Sequence, residues 1–147
     1  MTPRPTPRTL LRTRVFVLDS EALSKTVRGD RVMLARLHKA WRAKTPILTS
    51  ALTTLEAWDP HQAKAARLWD WAMSKIEVVH TDDTAIDAAR SLLKGAGLHG
   101  HKYAIDAVLA AVALREAGRG NQVTVLTSDV DDLERLLAGH RIVVEAV

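Results

Sequence analysis

Short apolar runs alternate with amphipathic stretches along nearly the whole chain. Residues 14–18 (RVFVL), 46–49 (PILT), 76–79 (IEVV), 122–127 (QVTVLT) and 141–145 (RIVVE) each suit one buried strand and are too short for a core helix. Between them, apolar positions recur at helical spacing. Helices are predicted over 21–28 and 31–43, parted by Gly29-Asp30, with Asp30 capping the second. Ser50 caps a helix carrying Leu52, Leu55 and Glu56. Asp59-Pro60 reads as N-cap and first residue of a helix to about Met73, with Ala65, Leu68, Trp69 and Ala72 as its core stripe. A helix from Asp82 or Asp83 to Lys94 is stopped by Gly95 and Gly97. Residues 103–117 (YAIDAVLAAVALREA) form an almost wholly apolar helix ended by Gly118, and 130–138 a short one stopped by Gly139. No repeat or linker interrupts residues 14–147, which read as one domain. Strands alternating with helices predict a three-layer α/β/α sandwich around a mainly parallel five-stranded sheet. In such sheets functional groups gather beyond the carboxyl ends of the strands.

The 147 residues include no cysteine, which excludes a disulfide framework, a thiolate zinc site, an iron–sulfur cluster and a cysteine nucleophile. No apolar stretch approaches the ~20 residues that cross a bilayer, and no signal peptide is evident. The expectation is a cytoplasmic protein without a membrane partner. The net charge of +4 is unevenly placed: Arg4, Arg8, Arg12 and Arg14 supply all of it, and residues 15–147 balance at 17 bases and 17 acids. Residues 1–13 are expected to be a disordered basic arm. Within the domain, Lys25, Arg28, Arg31, Arg36, Lys39, Arg42 and Lys44 face only Asp30 between 25 and 44, whereas Asp129, Asp131, Asp132 and Glu134 cluster near the end. A basic stripe with an acidic cluster suits an anionic substrate with a cation between them. Arg28, Arg31, Lys39 and Arg42 are the candidates for contacting such a substrate; a solvated helix face explains them equally well.

Four acids carry the candidate chemistry. Asp19 follows the first strand and Asp129 the fourth, so both emerge at one sheet edge; as single residues each also reads as a helix cap. Asp106 stands in an apolar run, where an unpartnered carboxylate costs several kcal/mol or titrates to neutrality. An ion pair with Lys102 would explain it only on an exposed face. Glu56 lies on a largely uncharged helix. If the four converge, their repulsion requires protonation or a bound cation, and an oxygen-only set suits Mg²⁺ or Mn²⁺. Such ions act on phosphates.

At these residues the chain resembles the PIN-domain family, and within it the VapC-type toxins of bacterial toxin–antitoxin pairs. The resemblance runs through Val15-Phe16-Val17-Leu18-Asp19-Ser20-Glu21-Ala22-Leu23, Leu52-Thr53-Thr54-Leu55-Glu56, Ile105-Asp106-Ala107-Val108-Leu109-Ala110-Ala111-Val112-Ala113 and Val125-Leu126-Thr127-Ser128-Asp129-Val130-Asp131-Asp132-Leu133, in that order. It implies a PIN-like fold and a metal-dependent endoribonuclease with Asp19, Glu56, Asp106 and Asp129 as its acidic residues. Asp19, Asp106 and Asp129 would bind Mg²⁺. It further implies a homodimer neutralised by a VapB-like antitoxin whose tail covers the site. Asp132 and Glu21 are candidate supports, as well as first-turn acids favoured by the helix dipole. Ser128 and Thr127 either orient carboxylates or merely cap.

The six histidines lack zinc spacing, no glycine-rich phosphate loop is present, and no serine sits in a nucleophile elbow. Asp19-Ser20-Glu21 lacks the second aspartate of a D-x-D phosphatase. A non-catalytic RNA- or protein-binding module with the same fold stays open beside the nuclease. If the nuclease reading holds, removing charge at Asp19 or Asp106 is expected to leave the fold intact or more stable. An inhibitor is expected to present Arg or Lys to the acids and to rest apolar groups on Leu23, Leu34, Leu37 or Trp58 where these are exposed.

Overall fold

The computed structural model describes residues 13–61 and 65–147. In chain order the elements are β1 (Arg14–Leu18), α1 (Ser20–Val27), α2 (Arg31–Arg42), β2 (Ile47–Ser50), α3 (Ala51–Glu56), α4 (Ala65–Lys75), β3 (Glu77–Val79), α5 (Asp83–Ala96), α6 (Gly100–Gly118), β4 (Gln122–Thr127), α7 (Val130–Leu136) and β5 (Ile142–Ala146). The five strands form one sheet in the order β3-β2-β1-β4-β5, and every neighbouring pair is parallel. The sheet is therefore wholly parallel, one step beyond the mainly parallel expectation. Val17 stands level with Leu48 on β2 and Val125 on β4, and Val125 with Val144 on β5.

Helices cover both faces. On one, Leu18, Ala22, Leu23, Val27, Met33, Leu37, Ala40, Ala72 and Leu126 join α1, α2 and α4 to the sheet. On the other, Val15, Val17, Val123 and Val125 meet the run 107–113 of α6, with α5 and α7 closing the layer. All seven residues of that run are buried, which explains why α6 has no polar face over two turns.

Several expectations change in detail. Asp59 does not start a helix: its carboxylate accepts from the His61 N–H at 2.9 Å, closing a turn two residues long, and Pro60 and His61 are turn residues. The described α4 begins at Ala65, and it buries Ala72 fully with Leu68 and Trp69 half-buried. The side-chain surroundings of Ala65 lie outside the described residues. Helix α6 begins three residues before the apolar run does, and Gly97 ends α5 in the left-handed conformation (φ 66°). Trp71 packs on the core beside His38, 5.0 Å between ring centres. Residues 1–12 of the basic arm lie outside the described residues. Among the described residues no helix is long and apolar enough to cross a membrane.

Candidate active site

The chain builds outward from β1 through β2 to β3, then returns across the sheet through α5 and α6 to add β4 and β5 on the other side. The strand order thus reverses between β1 and β4, the place where such sheets leave a crevice at their carboxyl edge. Asp19 and Asp129 follow those two strands. Asp19 is 3% exposed, and its carboxylate ties the strand ends together. Oδ1 accepts from the Ala22 N–H (2.8 Å), capping α1; Oδ2 accepts from the Thr127 hydroxyl (2.6 Å) and the Ser128 N–H (3.0 Å). The Thr127 hydroxyl in turn accepts from the Asp129 N–H at 2.9 Å. Asp19 is therefore a cap and more than a cap. Burial pushes its pKa up, the bonds from Thr127, Ala22 and Ser128 pull it down, and the charge of Asp129 adds to the rise; the net direction is upward.

Beside it lies an open cavity of about 540 Å³ lined by Glu56, Asp106, Asp129 and Asp132, with His101, Lys102 and Tyr103 from the first turn of α6. Asp129 occupies the cap position of α7 and makes no capping bond with its side chain, so its carboxylate is free for the cavity. Glu56, at the end of α3, accepts a hydrogen bond from the Ser20 hydroxyl. Asp106 opens the buried run of α6, and the pair with Lys102 is not formed. The Lys102 ammonium lies instead 5.1 Å from the Tyr103 ring centre. Burial raises the Asp106 pKa to about 6, helped by the charges of Asp129, Glu56, Asp19 and Asp132 in that order. Glu56, Asp129 and Asp132 share the cavity wall with Asp106, and Asp19 lies beside it, joined to Ser128 and through Thr127 to Asp129.

The other sequence candidates divide. Asp132 lines the cavity; Glu21 does not, and pairs with Arg28 at 2.9 Å. Ser128 contributes its backbone N–H, while the hydroxyl that orients Asp19 belongs to Thr127. Arg31, Lys39 and Arg42 are exposed on α2, and none of them lines the cavity. Leu23 and Leu37 are buried in the core and Leu34 half-buried, whereas Leu55 (74% exposed) and Trp58 (54%), the latter edge-on to Trp69 at 5.1 Å between ring centres, flank Glu56 with apolar surface. Ser20 is the partner that sequence reasoning missed, since a contact 36 residues away leaves no local pattern.

Among the described residues no three acids or histidines stand in a metal-holding arrangement as placed. The chemistry of the donors nevertheless fits Mg²⁺ or Mn²⁺: all are oxygens, Oδ1 of Asp19 accepts only one bond and retains a lone pair, and Asp106 is left uncompensated.

No protein-family model matches the sequence, and no curated protein matches it either. Solved structures do. A chain of VapBC2 from Rickettsia felis, bound to a DNA fragment from its promoter, superposes with TM-score 0.66 and 15% identity over 90% of this chain and 98% of the other. DNA-bound VapBC from Salmonella typhimurium gives 0.65 and 19% over 91% and 98%, and PAE2754 from Pyrobaculum aerophilum 0.56 and 20% over 89% of each. At these identities the likeness is one of fold: five parallel strands between two helical layers, the PIN-like architecture that the sequence resemblance implied.

Proposed function

We propose that the chain is a Mg²⁺- or Mn²⁺-dependent endoribonuclease, the toxin of a type II toxin–antitoxin pair acting in the cytoplasm. The observation that carries this reading is the gathering of Glu56, Asp106, Asp129 and Asp132 around one cavity at the switch point, with Asp19 beside it and no ion pair to neutralise Asp106 among the described residues. A scaffold without chemistry would be more stable with those charges dispersed. The VapBC neighbours support an antitoxin partner for this chain.

Asp19, Asp106 and Asp129 are the residues that would hold the ion, and it would supply charge neutralisation at the phosphodiester and a more acidic water. The remaining work falls to the chain. Thr127 and the Ser128 N–H fix the Asp19 carboxylate in one orientation, so that part of the site is rigid before substrate arrives. Glu56, held by Ser20, is placed at the cavity wall to accept a proton from the attacking water. Asp132 adds negative charge on the α7 side and favours a cation there. The antitoxin offers an Arg or Lys to the same carboxylates and rests apolar side chains on Leu55 and Trp58, the exposed pair beside Glu56. The toxin is a homodimer in this reading.

The test is cleavage of single-stranded and structured RNA by antitoxin-free protein with Mg²⁺, with Mn²⁺ and with EDTA, for wild type, Asp106→Asn and Asp129→Asn. Metal-dependent cleavage lost in both variants is expected. Equal cleavage in EDTA, or in both variants, would sink the proposal, and metal-independent RNA binding without cleavage would leave the binding-module reading in its place.

A further inference from the structure

A site walled by acids has to accept a polyanion. Each carboxylate repels an incoming phosphate, more strongly at a protein surface than in bulk water. One metal ion offsets only part of that, so the question is which side chain meets the phosphate. Two cations on the α1–α2 side of the sheet are engaged elsewhere: Arg28 pairs with Glu21, and Arg36 pairs with Glu145 at 2.7 Å. Arg31, Lys39 and Arg42 lie on α2, away from the cavity wall.

Lys102 differs from all of these. It lines the cavity together with Glu56, Asp106, Asp129 and Asp132, its ammonium is fully open to water, and it forms no ion pair within 4.0 Å among the described residues. The Tyr103 ring beside it, itself half-buried in the cavity wall, limits where the ammonium can go. Asp106, one helical turn on, leaves Lys102 unpaired and faces the interior of the site. We propose that Lys102 binds a backbone phosphate of single-stranded RNA at the mouth of the acidic cavity, next to the bond that is cut. This rests on the ribonuclease reading and extends it to the residue that holds the substrate. Lys102 is a compact, hydrated point charge, suited to a phosphate that must bind and leave quickly.

The experiment uses a labelled single-stranded RNA and two readouts. In steady-state cleavage, Lys102→Ala is expected to raise KM about tenfold with kcat changed less than threefold, and Lys102→Arg to restore most of KM, because one phosphate contact is lost and then regained. In binding without cleavage, Asp106→Asn is compared with Asp106→Asn/Lys102→Ala; the log–log salt slope should fall by about 0.7, the counterion release of one single-strand phosphate. Arg90→Ala, the same loss of charge on the exposed face of α5, should change neither readout. An unchanged KM and salt slope in the Lys102 variants would overturn the proposal. So would a fall in kcat alone, or a loss of Mn²⁺ affinity measured without RNA, since either assigns Lys102 to holding the acids. Absence of cleavage by wild type would instead refute the ribonuclease reading, and the binding comparison would still decide whether Lys102 meets a phosphate.

Discussion

Replacing Asp106 with Asn isolates what the site costs the fold. The carboxyl is moved from the ordinary 3.8 to about 6, by burial first and then by Asp129, Glu56, Asp19 and Asp132. A group whose folded pKa lies above its unfolded value stabilises the fold fully below pH 3.8 and loses that contribution as pH rises through 6. At pH 7.5 the ionised Asp106 is therefore a net burden. The shift corresponds to about 3 kcal/mol, and partial access to water screens it, so about 1–2 kcal/mol is expected. Asn keeps the volume and cannot ionise. Asp106→Asn should therefore be more stable than wild type at pH 7.5, with Tm higher by about 3–6 °C for a chain of this size. The difference should vanish near pH 4. Urea or thermal unfolding at pH 4, 5.5 and 7.5 provides the check. A variant less stable than wild type at pH 7.5, or a gain that does not change with pH, would refute the reasoning.

Four further outcomes follow from the same geometry. Asp19→Asn should lower stability by about 1–2 kcal/mol at pH 7.5 in the same unfolding assay, because one amide oxygen cannot accept from both Ala22 and the Thr127–Ser128 pair, and an N–H is left facing an NH₂ group. This separates Asp19 from Asp106, where charge removal alone would have treated them alike. Thr127→Val should cost about 1–2 kcal/mol, since the Asp129 N–H loses its acceptor and Asp19 a donor. Mg²⁺ or Mn²⁺ at about 100 times Kd should raise wild-type stability by about 2.7 kcal/mol at pH 7.5, a rise absent from Asp106→Asn; an equal thermal shift in both would remove Asp106 from the ion's ligands. Arg31→Ala/Arg42→Ala should flatten the salt dependence of RNA binding if the exposed α2 face guides the substrate, and an unchanged slope would make it a solvated face.

The layers were legible because apolar runs of strand length are rare outside strands, and β4 was read at its observed bounds, 122–127. Three of the four acids were legible for a related reason: Asp19 and Asp129 sit immediately after strands and Asp106 within an apolar helix, whereas Glu56 is exposed at the end of α3 and carries no such signal. The start of α6 was not, because His99 holds the cap position with no side-chain bond and Gly100 follows it, leaving no capping signal to read. Asp59-Pro60 misled for the opposite reason. A cap signal is also a turn signal, and the bond to the His61 N–H two residues on decided between them. Leu23 and Leu37 pack inward with Thr26, Val27, Met33 and Ala40 at helical spacing, so the apolar surface near Glu56 falls to Leu55 and Trp58. The order β3-β2-β1-β4-β5 and the Ser20–Glu56 contact depend on long-range pairing, which no window of the sequence contains.

Helix α6 carries its own comparison. Near its carboxyl end Glu116 is 5% exposed, and it accepts from Arg119 at 3.0 Å and from the Asn121 amide at 3.0 Å, so its charge is fully answered within the chain. Three turns earlier Asp106 sits at the other end of the same buried run, surrounded by four more acids, with the nearest lysine turned toward Tyr103. Glu116 is buried and Asp106 half-buried, and only Glu116 is provided with donors. The chain was able to neutralise an acid on this helix and did so where the helix meets β4. In the proposed metal-dependent reading, Asp106, left without a partner at the edge where β1 and β4 part, would take a cation that the chain does not supply itself. The same deficit accounts for the predicted gain on Asp106→Asn, for the expected rise in stability on adding Mg²⁺, and for an inhibitor that would bring its own Arg or Lys.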